Sequence, residues 1–317
     1  MSSAIGVDVG GTKIAAGVVD SSGLILESLK VPTPAQDPDL IVQTIADLAR
    51  QLGASDSVER VGVCVAGFVD RSRSGVLFSP NLSWRGVRLR EQLQEALGGE
   101  VVIENDANAA AWGEFRFGGG KEADDLLAVT VGTGVGGGLV LAGELLRGGF
   151  GVAAEIGHLG LVPGGELCGC GNRGCLEAYG SGTALVRATR FAAHKDPVAA
   201  KRLIERASGD IAAIDGPMIT EQAQLGDEFA KTQLAELGAW LGLGIANIAA
   251  VVDPSLVLIG GGVSQAGELL LQPIRDSYLK ALSASRHRPI LDVKVAELGN
   301  DAGLVGVADL ARNSIGE

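Results

Sequence analysis

The chain has 317 residues, of which 46% are hydrophobic and 20% charged, a composition typical of a globular protein large enough for two lobes. The net charge of −12 argues against a nucleic-acid partner and against binding to an anionic membrane. The N-terminal sequence MSSAIGVDVGG has no basic segment and no long apolar run, so we expect no signal peptide. The longest apolar run, LGLGIANIAAVV near residue 247, is expected to be too short and too rich in glycine to span a bilayer.

The first predicted unit is a strand, a tight glycine turn and a second strand. Valine and isoleucine alternate over residues 5–9, and residues 14–19 continue as a strand. The turn between them consists of Gly10, Gly11, Thr12 and Lys13. Exposed N–H groups of such a turn could hold phosphate oxygens, with the charge of Lys13 and with Asp8 facing the same space. An ordinary β-hairpin explains the same residues equally well.

A polar turn follows the next predicted strand. The sequence VVIENDANAAAWGEF predicts a strand at 101–104, a turn at Asn105 and Asp106, and an alanine-rich helix at 107–115. Asp106 could be only the N-cap of that helix. It also lies at the carboxyl end of a strand, where open α/β sheets place their active sites, so a catalytic role is compatible with a cap.

A second glycine hairpin repeats the design of the first at residues 126–142, LLAVTVGTGVGGGLVLA. A third glycine turn follows the strand-like sequence SLVLI and precedes a helix predicted to begin near Gln265. The residues of these two turns that we single out are Gly132, Thr133, Gly134, Gly261 and Gly262. The repetition suggests two lobes of similar design and a nucleotide site at the glycine turns. Three unrelated tight turns are the alternative.

The most specific pattern is a cluster of potential metal ligands in residues 155–177, EIGHLGLVPGGELCGCGNRGCLE. It holds three of the four cysteines and one of the three histidines: Cys168, Cys170, Cys175 and His158. Three thiolates and an imidazole complete a tetrahedral Zn²⁺ site with no open position, which predicts a structural metal. A loose glycine loop with buried or disulfide-bonded cysteines is the alternative. The fourth cysteine, Cys64, lies in the apolar run VGVCVAGF and is expected to be a buried free thiol. Cysteines with metal-ligand spacing indicate a reducing compartment rather than secretion, so we expect a cytoplasmic protein.

The rest of the chain is predicted to be mostly helical. Residues 182–252 have a helical pattern with a break at 209–217. A long helix from Asp227 is expected to end before Asp253 and Pro254. The closing sequence AGLVGVADLARN predicts a final helix.

The motifs DVGGTK, END, VGTGVGGG, EIGH and CGCGNRGC, in this order, resemble those of the ROK family of sugar kinases. The resemblance covers the chain from Gly6 to the final helix. Within that family, the chain is similar in particular to the actinobacterial glucokinases. It implies an α/β fold of the two-lobed actin-like ATPase (ribonuclease H-like) type, with an interlobe cleft and a structural zinc knot. The lobes are expected at 1–117 and at about 118–298, with a C-terminal helix at about 299–317 packing back on the small lobe.

The resemblance also implies where the ligands bind. ATP is expected against the glycine turns, and hexose near a group of polar side chains, with the backbone at Gly67 closing over the sugar. The polar residues are Asn105, Asp106, Glu155, His158 and Glu177. Glu155 and His158 are three residues apart and would share one face of a helical turn. His158 could give one ring nitrogen to zinc and the other to a sugar hydroxyl.

The implied reaction is ATP-dependent transfer of a phosphoryl group to the 6-hydroxyl of glucose. Phosphoryl transfer depends mostly on positioning and charge stabilisation. Asp106 would be the general base, and Mg²⁺, Lys13 and the turn N–H groups would neutralise the phosphates. Thr12 and Thr133 could donate further hydrogen bonds, and Asp8 could hold Mg²⁺ through water.

Several alternatives stay open. A sugar-responsive repressor needs an N-terminal DNA-binding domain, for which a strand beginning by residue 4 leaves no room. A non-enzymatic sugar- or nucleotide-binding module would not need Asp106. Among kinases, mannose, fructose or N-acetylmannosamine could be the substrate, and polyphosphate could replace ATP. By the same resemblance the chain is expected to form a homo-oligomer, either a dimer or a tetramer.

Overall fold

The computed structural model describes residues 3–53, 60–79 and 81–313, and these form two compact units. The first unit consists of the residues up to Ala128, residues 138–154 and the residues from Glu297 onward. The second unit consists of residues 129–137 and 155–296. Residues 1–2, 54–59 and 80 of the expected small lobe, and 314–317 of the expected last helix, lie outside the described residues. The lobe boundaries expected from the sequence stay a prediction.

The described residues contain strands and helices in the following order. The strands are β1 (Ala4–Val9), β2 (Lys13–Val19), β3 (Ile25–Pro32), β4 (Arg60–Val65), β5 (Phe68–Val69), β6 (Val76–Phe78), β7 (Arg85–Val87), β8 (Glu100–Asn105), β9 (Leu126–Val131), β10 (Val135–Leu141), β11 (Glu144–Leu145), β12 (Leu256–Gly260) and β13 (Asp292–Val295). The helices are α1 (Pro38–Gln51), α2 (Leu89–Leu97), α3 (Asp106–Phe117), α4 (Glu177–Gly180), α5 (Gly182–Lys195), α6 (Lys201–Arg206), α7 (Gly216–Gln224), α8 (Glu228–Val252), α9 (Glu268–Ala281) and α10 (Ala302–Asn313). Short 3₁₀ helices lie at Ile156–His158, Ile211–Ala213, Gly262–Ala266 and Gly299–Asp301.

The first sheet brings the polar ends of three strands to one edge. Its order is β3-β2-β1-β4-β8, with β1 antiparallel to β2 and parallel to β4, and β4 parallel to β8. The register places Asp8 opposite Cys64, and Cys64 opposite Glu104. Carboxyl ends of parallel strands are where α/β sheets bind their ligands, so this edge is the place to look for a site in the first unit.

The last helix packs on strands and a helix of the first unit. α10 contacts α3, β1 and β4. The approach is close because glycine faces it from both strands. A Cβ at Gly6 would overlap the carbonyl oxygen of Leu304, and one at Gly62 that of Val307. The helix therefore covers the strands that carry Asp8 and Cys64.

The second sheet contains the two strands of the second glycine hairpin, β9 and β10, and the strand before the third glycine turn, β12. The sheet has the order β11-β10-β9-β12-β13, with β12 parallel to β13. The helical stretch at 182–252 contains α5, α6, α7 and α8, with the expected break before α7. α8 begins after the N-cap Asp227, whose carboxylate accepts a hydrogen bond from Ala230 N at 2.8 Å, and ends at Asp253 in a left-handed conformation.

α8 is longer than its apolar run suggested. At 25 residues it is long and apolar enough, by length and composition alone, to cross a membrane, so the expectation that its apolar run is too short to span does not hold for the whole helix. Its buried side chains, among them Leu234, Leu241 and Ile245, lie within the second unit, where α8 packs on α7 and α9. A core helix passes the same length test, and the packing of α8 fits that role.

Candidate active site and metal centre

Asp106 is the first residue of α3, and its neighbours hold its carboxylate in place. Oδ1 accepts hydrogen bonds from Ala107 N at 2.9 Å and from Asn105 Nδ2 at 3.1 Å. The N-cap is Asn105, whose Oδ1 accepts a hydrogen bond from Asn108 N at 2.9 Å, so the possibility that Asp106 is the cap is wrong. Desolvation by burial, and then the charge of Asp8, raise the pKa of Asp106 to about 7. A carboxylate with that pKa can take up a proton near neutral pH.

Asp8 and Cys64 lie beside one another on β1 and β4. The Cys64 thiol is fully buried and free, as predicted, and its sulfur lies 3.6 Å from Asp8 Oδ1. Burial raises the pKa of Asp8, whereas the thiol and Lys13 lower it. Burial also raises the pKa of Cys64 well above its usual value, so the thiol keeps its proton and donates to Asp8.

Gly67 and Asn105 are joined directly. Asn105 Nδ2 donates a hydrogen bond to Gly67 O at 3.1 Å. A Cβ at Gly67 would lie 2.6 Å from Phe78 O, so no larger residue fits at this position. The segment expected to close over a sugar is therefore held against the turn that carries Asp106.

The first glycine turn is ordered by its own strands and by the residue after β3. Gly10 N donates to Lys13 O at 3.0 Å, and the hydroxyl of Thr33 donates to Gly10 O at 2.7 Å. Thr12 and Lys13 are exposed, and Gly11 packs against Asn81. The side chains of Thr12 and Lys13 are therefore accessible to a ligand.

The four predicted metal ligands lie together in the second unit. One ligand atom from each of His158, Cys168, Cys170 and Cys175 falls within 4.8 Å of the others. His158 Nδ1 lies 3.7 Å from Cys168 Sγ, and Cys170 Sγ lies 3.7 Å from Cys175 Sγ. Sulfurs at about 2.3 Å from a tetrahedral zinc are about 3.8 Å apart, so the donor set and its spacing fit zinc. No disulfide joins these cysteines, which excludes the disulfide-bonded alternative in this structure.

Two carboxylates, those of Glu155 and Glu177, lie next to residues of this cluster. The short helix Ile156–His158 turns His158 Nε2 toward Glu155 Oε2, 4.0 Å away, and leaves Nδ1 on the side of the sulfurs. Glu177 begins α4, and its Oε2 accepts a hydrogen bond from Val135 N at 3.1 Å. Its other oxygen lies 3.5 Å from Cys168 Sγ. Glu177 therefore connects the cysteine cluster to the strand that follows the second glycine turn.

A cavity of about 950 Å³ opens beside the second and third glycine turns, within the second unit. Gly132, Thr133 and Gly262, three of the residues predicted to bind a nucleotide, line it. Gly134 and Gly261 are not among its lining residues: Gly134 packs on Glu177, and Gly261, with φ of +82°, packs on the backbone of Val131. A cavity of this size can hold a nucleotide.

The helical stretch beginning at residue 182 was predicted, but the place of its first residues in the wall of this cavity was not. The N-terminus of α5 faces the second glycine turn: Gly182 N donates to Gly132 O at 2.8 Å, and the hydroxyl of Thr183 donates to Thr133 O at 2.8 Å. Both residues line the cavity, and α7 contributes Thr220, Glu221 and Gln224 to the lining. The local sequence YGSGTAL was a usable signal, because small residues let a helix N-terminus approach a ligand.

The predicted site residues thus fall into two groups, one in each unit. The first unit holds Asp8, Gly10, Gly11, Thr12, Lys13, Gly67, Asn105 and Asp106. The second holds Gly132, Thr133, Gly134, Glu155, His158, Cys168, Cys170, Cys175, Glu177, Gly261 and Gly262.

The α/β sheets, the glycine turns at strand ends and the Cys₃His cluster define a protein of the actin-like ATPase class with a zinc-knot ligand set. The chain belongs to the ROK family, whose family profile matches residues 4–314. The fold is the actin-like ATPase fold of ROK kinases.

Relatives with known names cover almost the whole chain. The glucokinase of Streptomyces coelicolor is 49% identical over 308 residues, 97% of each chain. The crystal structure of a ROK family glucokinase from Streptomyces griseus, in complex with glucose and AMPPNP, is 48% identical, with a TM-score of 0.89 over 99% of this chain and 100% of that one. The N-acetylmannosamine kinase of Escherichia coli O157:H7 is 34% identical over 97% of this chain and 98% of its own length.

Proposed function

We propose that the protein is an ATP-dependent glucokinase that phosphorylates the 6-hydroxyl of glucose. The observation that carries the reaction class is Asp106, a partly buried carboxylate with its pKa raised to about 7 and held by Asn105 and Ala107 at the end of β8. The choice of glucose is supported by the two Streptomyces glucokinases at 48–49% identity.

Asp106 is the proposed general base. A primary hydroxyl is a weak nucleophile, and a carboxylate within hydrogen-bond reach can accept its proton as the bond to phosphorus forms. Gly67, Asn105, Glu155, His158 and Glu177 are proposed to bind the sugar hydroxyls. Their amide, imidazole and carboxylate groups offer both donors and acceptors.

ATP is proposed to bind in the cavity of the second unit. The N-terminus of α5 and the N–H groups of the second glycine turn supply partial positive charge for phosphate oxygens. The first glycine turn is also proposed to bind the phosphates, through Gly10, Gly11, Thr12 and Lys13. The roles proposed for Gly134 and Gly261 are to shape their own turns. Mg²⁺ bound with ATP would neutralise phosphate charge, and Asp8 is the residue proposed to hold it through water.

Zinc is proposed to be structural. His158, Cys168, Cys170 and Cys175 would hold it, and four protein ligands leave no position for a reacting water. The metal would fix the ring of His158 and the start of α4, where Glu177 lies.

The decisive experiment is a panel of hexoses, each with ATP and with polyphosphate, followed by ADP release and by direct detection of the sugar phosphate. We expect glucose with ATP to give the highest kcat/KM. Mannose should be poorer, because its inverted 2-hydroxyl would leave a polar group of the site unpaired. A higher kcat/KM with N-acetylmannosamine, the substrate class named for the 34% identical relative, would replace glucose in this proposal. If no sugar is phosphorylated, the protein is a non-enzymatic sugar- or nucleotide-binding module.

We also infer a cytoplasmic enzyme without a nucleic-acid or membrane partner, because the chain is acidic and its cysteines suit a reducing compartment. A dimer or tetramer is proposed, and light scattering of the purified protein would determine which one forms.

A further inference from the structure

A buried charge cluster lies directly behind the turn that carries Asn105 and Asp106. Glu104, the residue before Asn105, has no solvent-exposed surface. Two arginines pair with it: Arg147 Nε lies 2.9 Å from Glu104 Oε2, and Arg73 Nε lies 3.2 Å from the same oxygen. A buried carboxylate needs such partners, because an unpaired charge in this environment is costly.

The other oxygen of Glu104 holds the site turn. Glu104 Oε1 accepts hydrogen bonds from Asn105 N at 2.9 Å and from Asn108 Nδ2 at 3.3 Å. Asn105 in turn donates to Gly67 O and to Asp106 Oδ1. The position of Glu104 therefore affects both Asn105 and the proposed base.

Arg147 joins this carboxylate to a second segment. Its Nη1 donates to Arg71 O at 2.8 Å and its Nη2 to Asp70 O at 3.1 Å. Only 12% of the Arg147 side chain is exposed. The planar guanidinium thus spans Glu104 on one side and, on the other, two carbonyl oxygens that lie three and four residues after Gly67.

The loop that carries Arg147 packs closely on the same carbonyls. Gly151 has φ of +89°, and a Cβ there would lie 2.5 Å from Arg71 N and 2.7 Å from the carbonyl carbon of Asp70. Ala153 N donates back to Arg147 O at 3.2 Å, so the loop closes on itself shortly before Glu155. The Arg147 side chain therefore connects its own loop to the turn at residues 70–71 and to Glu104 near the end of β8.

We propose that Arg147 is a positioning residue for hexose binding, which fixes the 70–71 turn directly and the Asn105–Asp106 turn through Glu104. The proposal rests on the proposed phosphorylation of glucose and adds to it the residue that orders one wall of the sugar site. Each partner of Arg147 belongs to a segment next to a proposed sugar contact, whereas a pair placed only for stability has no reason to be so distributed. A buried ion pair is by itself a weak source of stability.

The test uses Arg147→Lys and Arg147→Met. Lysine keeps the charge beside Glu104 but cannot donate to both carbonyl oxygens, and methionine removes the charge while keeping much of the volume. We expect glucose KM, and the glucose dissociation constant measured by calorimetry without ATP, to rise about tenfold or more in Arg147→Met and less in Arg147→Lys. The KM for ATP should stay within about twofold in both.

Arg116→Met is the matched control. Arg116 Nε lies 3.2 Å from Asp309 Oδ2, another carboxylate that is buried in the first unit and keeps a second arginine, Arg312, when Arg116 is lost. We expect this variant to lose thermal stability without a change in glucose KM. If Arg147→Met loses stability to the same extent and glucose affinity stays within twofold of wild type, the proposal is wrong and the residue is only structural.

Two further results separate the possible failures. If Arg147→Met does not fold, Glu104→Gln and Arg147→Lys decide, since both keep the side-chain size near that of the native pair. Unchanged glucose affinity in those two would overturn the proposal. A wild-type protein that phosphorylates glucose while the variants retain full glucose affinity refutes this inference alone, whereas a wild type that neither binds nor phosphorylates glucose refutes the proposed function as well.

Discussion

At the scale of single residues, Asp106 is set apart from the other acidic residues at helix starts by its surroundings. Asp39 occupies the first turn of α1 and is exposed, whereas Asp106 is partly buried beside Asp8. Both lie where a negative charge favours the helix. Asp106 combines a raised pKa with hydrogen bonds that aim its carboxylate, and the effect of this combination can be measured.

The first prediction is that Asp106→Asn lowers kcat by about 10²–10⁴, because asparagine keeps the shape but cannot take a proton. Glucose KM should change much less. The cap of α3 stays intact, since Asn105 provides it. Asp39→Asn is the control and should leave kcat unchanged. A near-normal kcat in Asp106→Asn would mean that another group is the base, and Glu155 would be examined next.

The second prediction concerns pH. With the pKa of Asp106 at about 7, kcat/KM should rise about tenfold per pH unit below that value and level off above it, because the ionised form is the base. The residual activity of Asp106→Asn should lack this dependence. A profile that levels off near pH 4, the ordinary value for aspartate, would contradict the raised pKa.

The raised pKa of Asp106 also makes the stability of the fold depend on pH. Stability should fall as pH rises, whereas activity should rise. The pKa of Asp106 is raised in the folded protein above its ordinary value of 3.8, so the folded state binds the proton more tightly than the unfolded state. The stabilisation from that proton is present in full below about pH 4 and is lost as pH rises through about 7. The melting temperature of Asp106→Asn minus that of wild type, measured by calorimetry, should therefore be more positive at pH 8 than at pH 4.

The sequence was sufficient for residues whose role is local and insufficient for residues paired over long distances. Asn105 and Asp106 could be predicted because a polar turn after a strand is visible in a few letters. Glu104, in the same motif, was assigned only to a strand. Its partner Arg147 is 43 residues away in a glycine-rich loop, and nothing in the local sequence marks the pairing.

At the scale of elements, the knot between His158 and α4 depends on its side chains for order. Within the described residues 159–176 the structure has no helix and only isolated bridges, Gly160 with Cys175 and Leu167 with Arg173. A segment without a regular hydrogen-bond ladder gains most from a cross-link. The ligand set could be predicted from spacing alone, whereas the contact of Glu177 with Val135 required the fold.

The third prediction is that the purified protein holds one zinc per chain and that Cys170→Ala loses it. Loss of the metal should lower the melting temperature and the activity, since the knot orients His158 and Glu177. Cys64→Ala, which removes the cysteine outside the cluster, should retain the metal. Active, freshly purified protein without zinc by elemental analysis would disprove the site. Full glucose affinity in metal-free Cys170→Ala would show that the site is not coupled to binding.

At the scale of the whole molecule, the cavity proposed for ATP belongs to one unit and the proposed base to the other. The repeated glycine hairpins led to the prediction of two lobes. The division itself was not predictable, because residues 138–154 join the first unit after the chain has already entered the second. The return of this segment to the first unit depends on contacts between residues far apart in the sequence, for example Arg147 with Glu104, and the local composition does not indicate it.

The last prediction uses this division to separate nucleotide binding from stability. Gly182→Ala should weaken binding of a non-hydrolysable ATP analogue about tenfold, equivalent to about 1.4 kcal/mol. A Cβ at Gly182 would lie 2.7 Å from Gly132 O and would push α5 away from the second glycine turn. Gly306→Ala in α10 is the control in the other unit, because its Cβ would overlap Ala109 O and cost about 1–3 kcal/mol of stability. Calorimetry should find the analogue affinity of Gly306→Ala within about twofold of wild type at a temperature where both are folded. If Gly182→Ala binds the analogue as wild type does, the α5 side of the cavity does not contact the nucleotide.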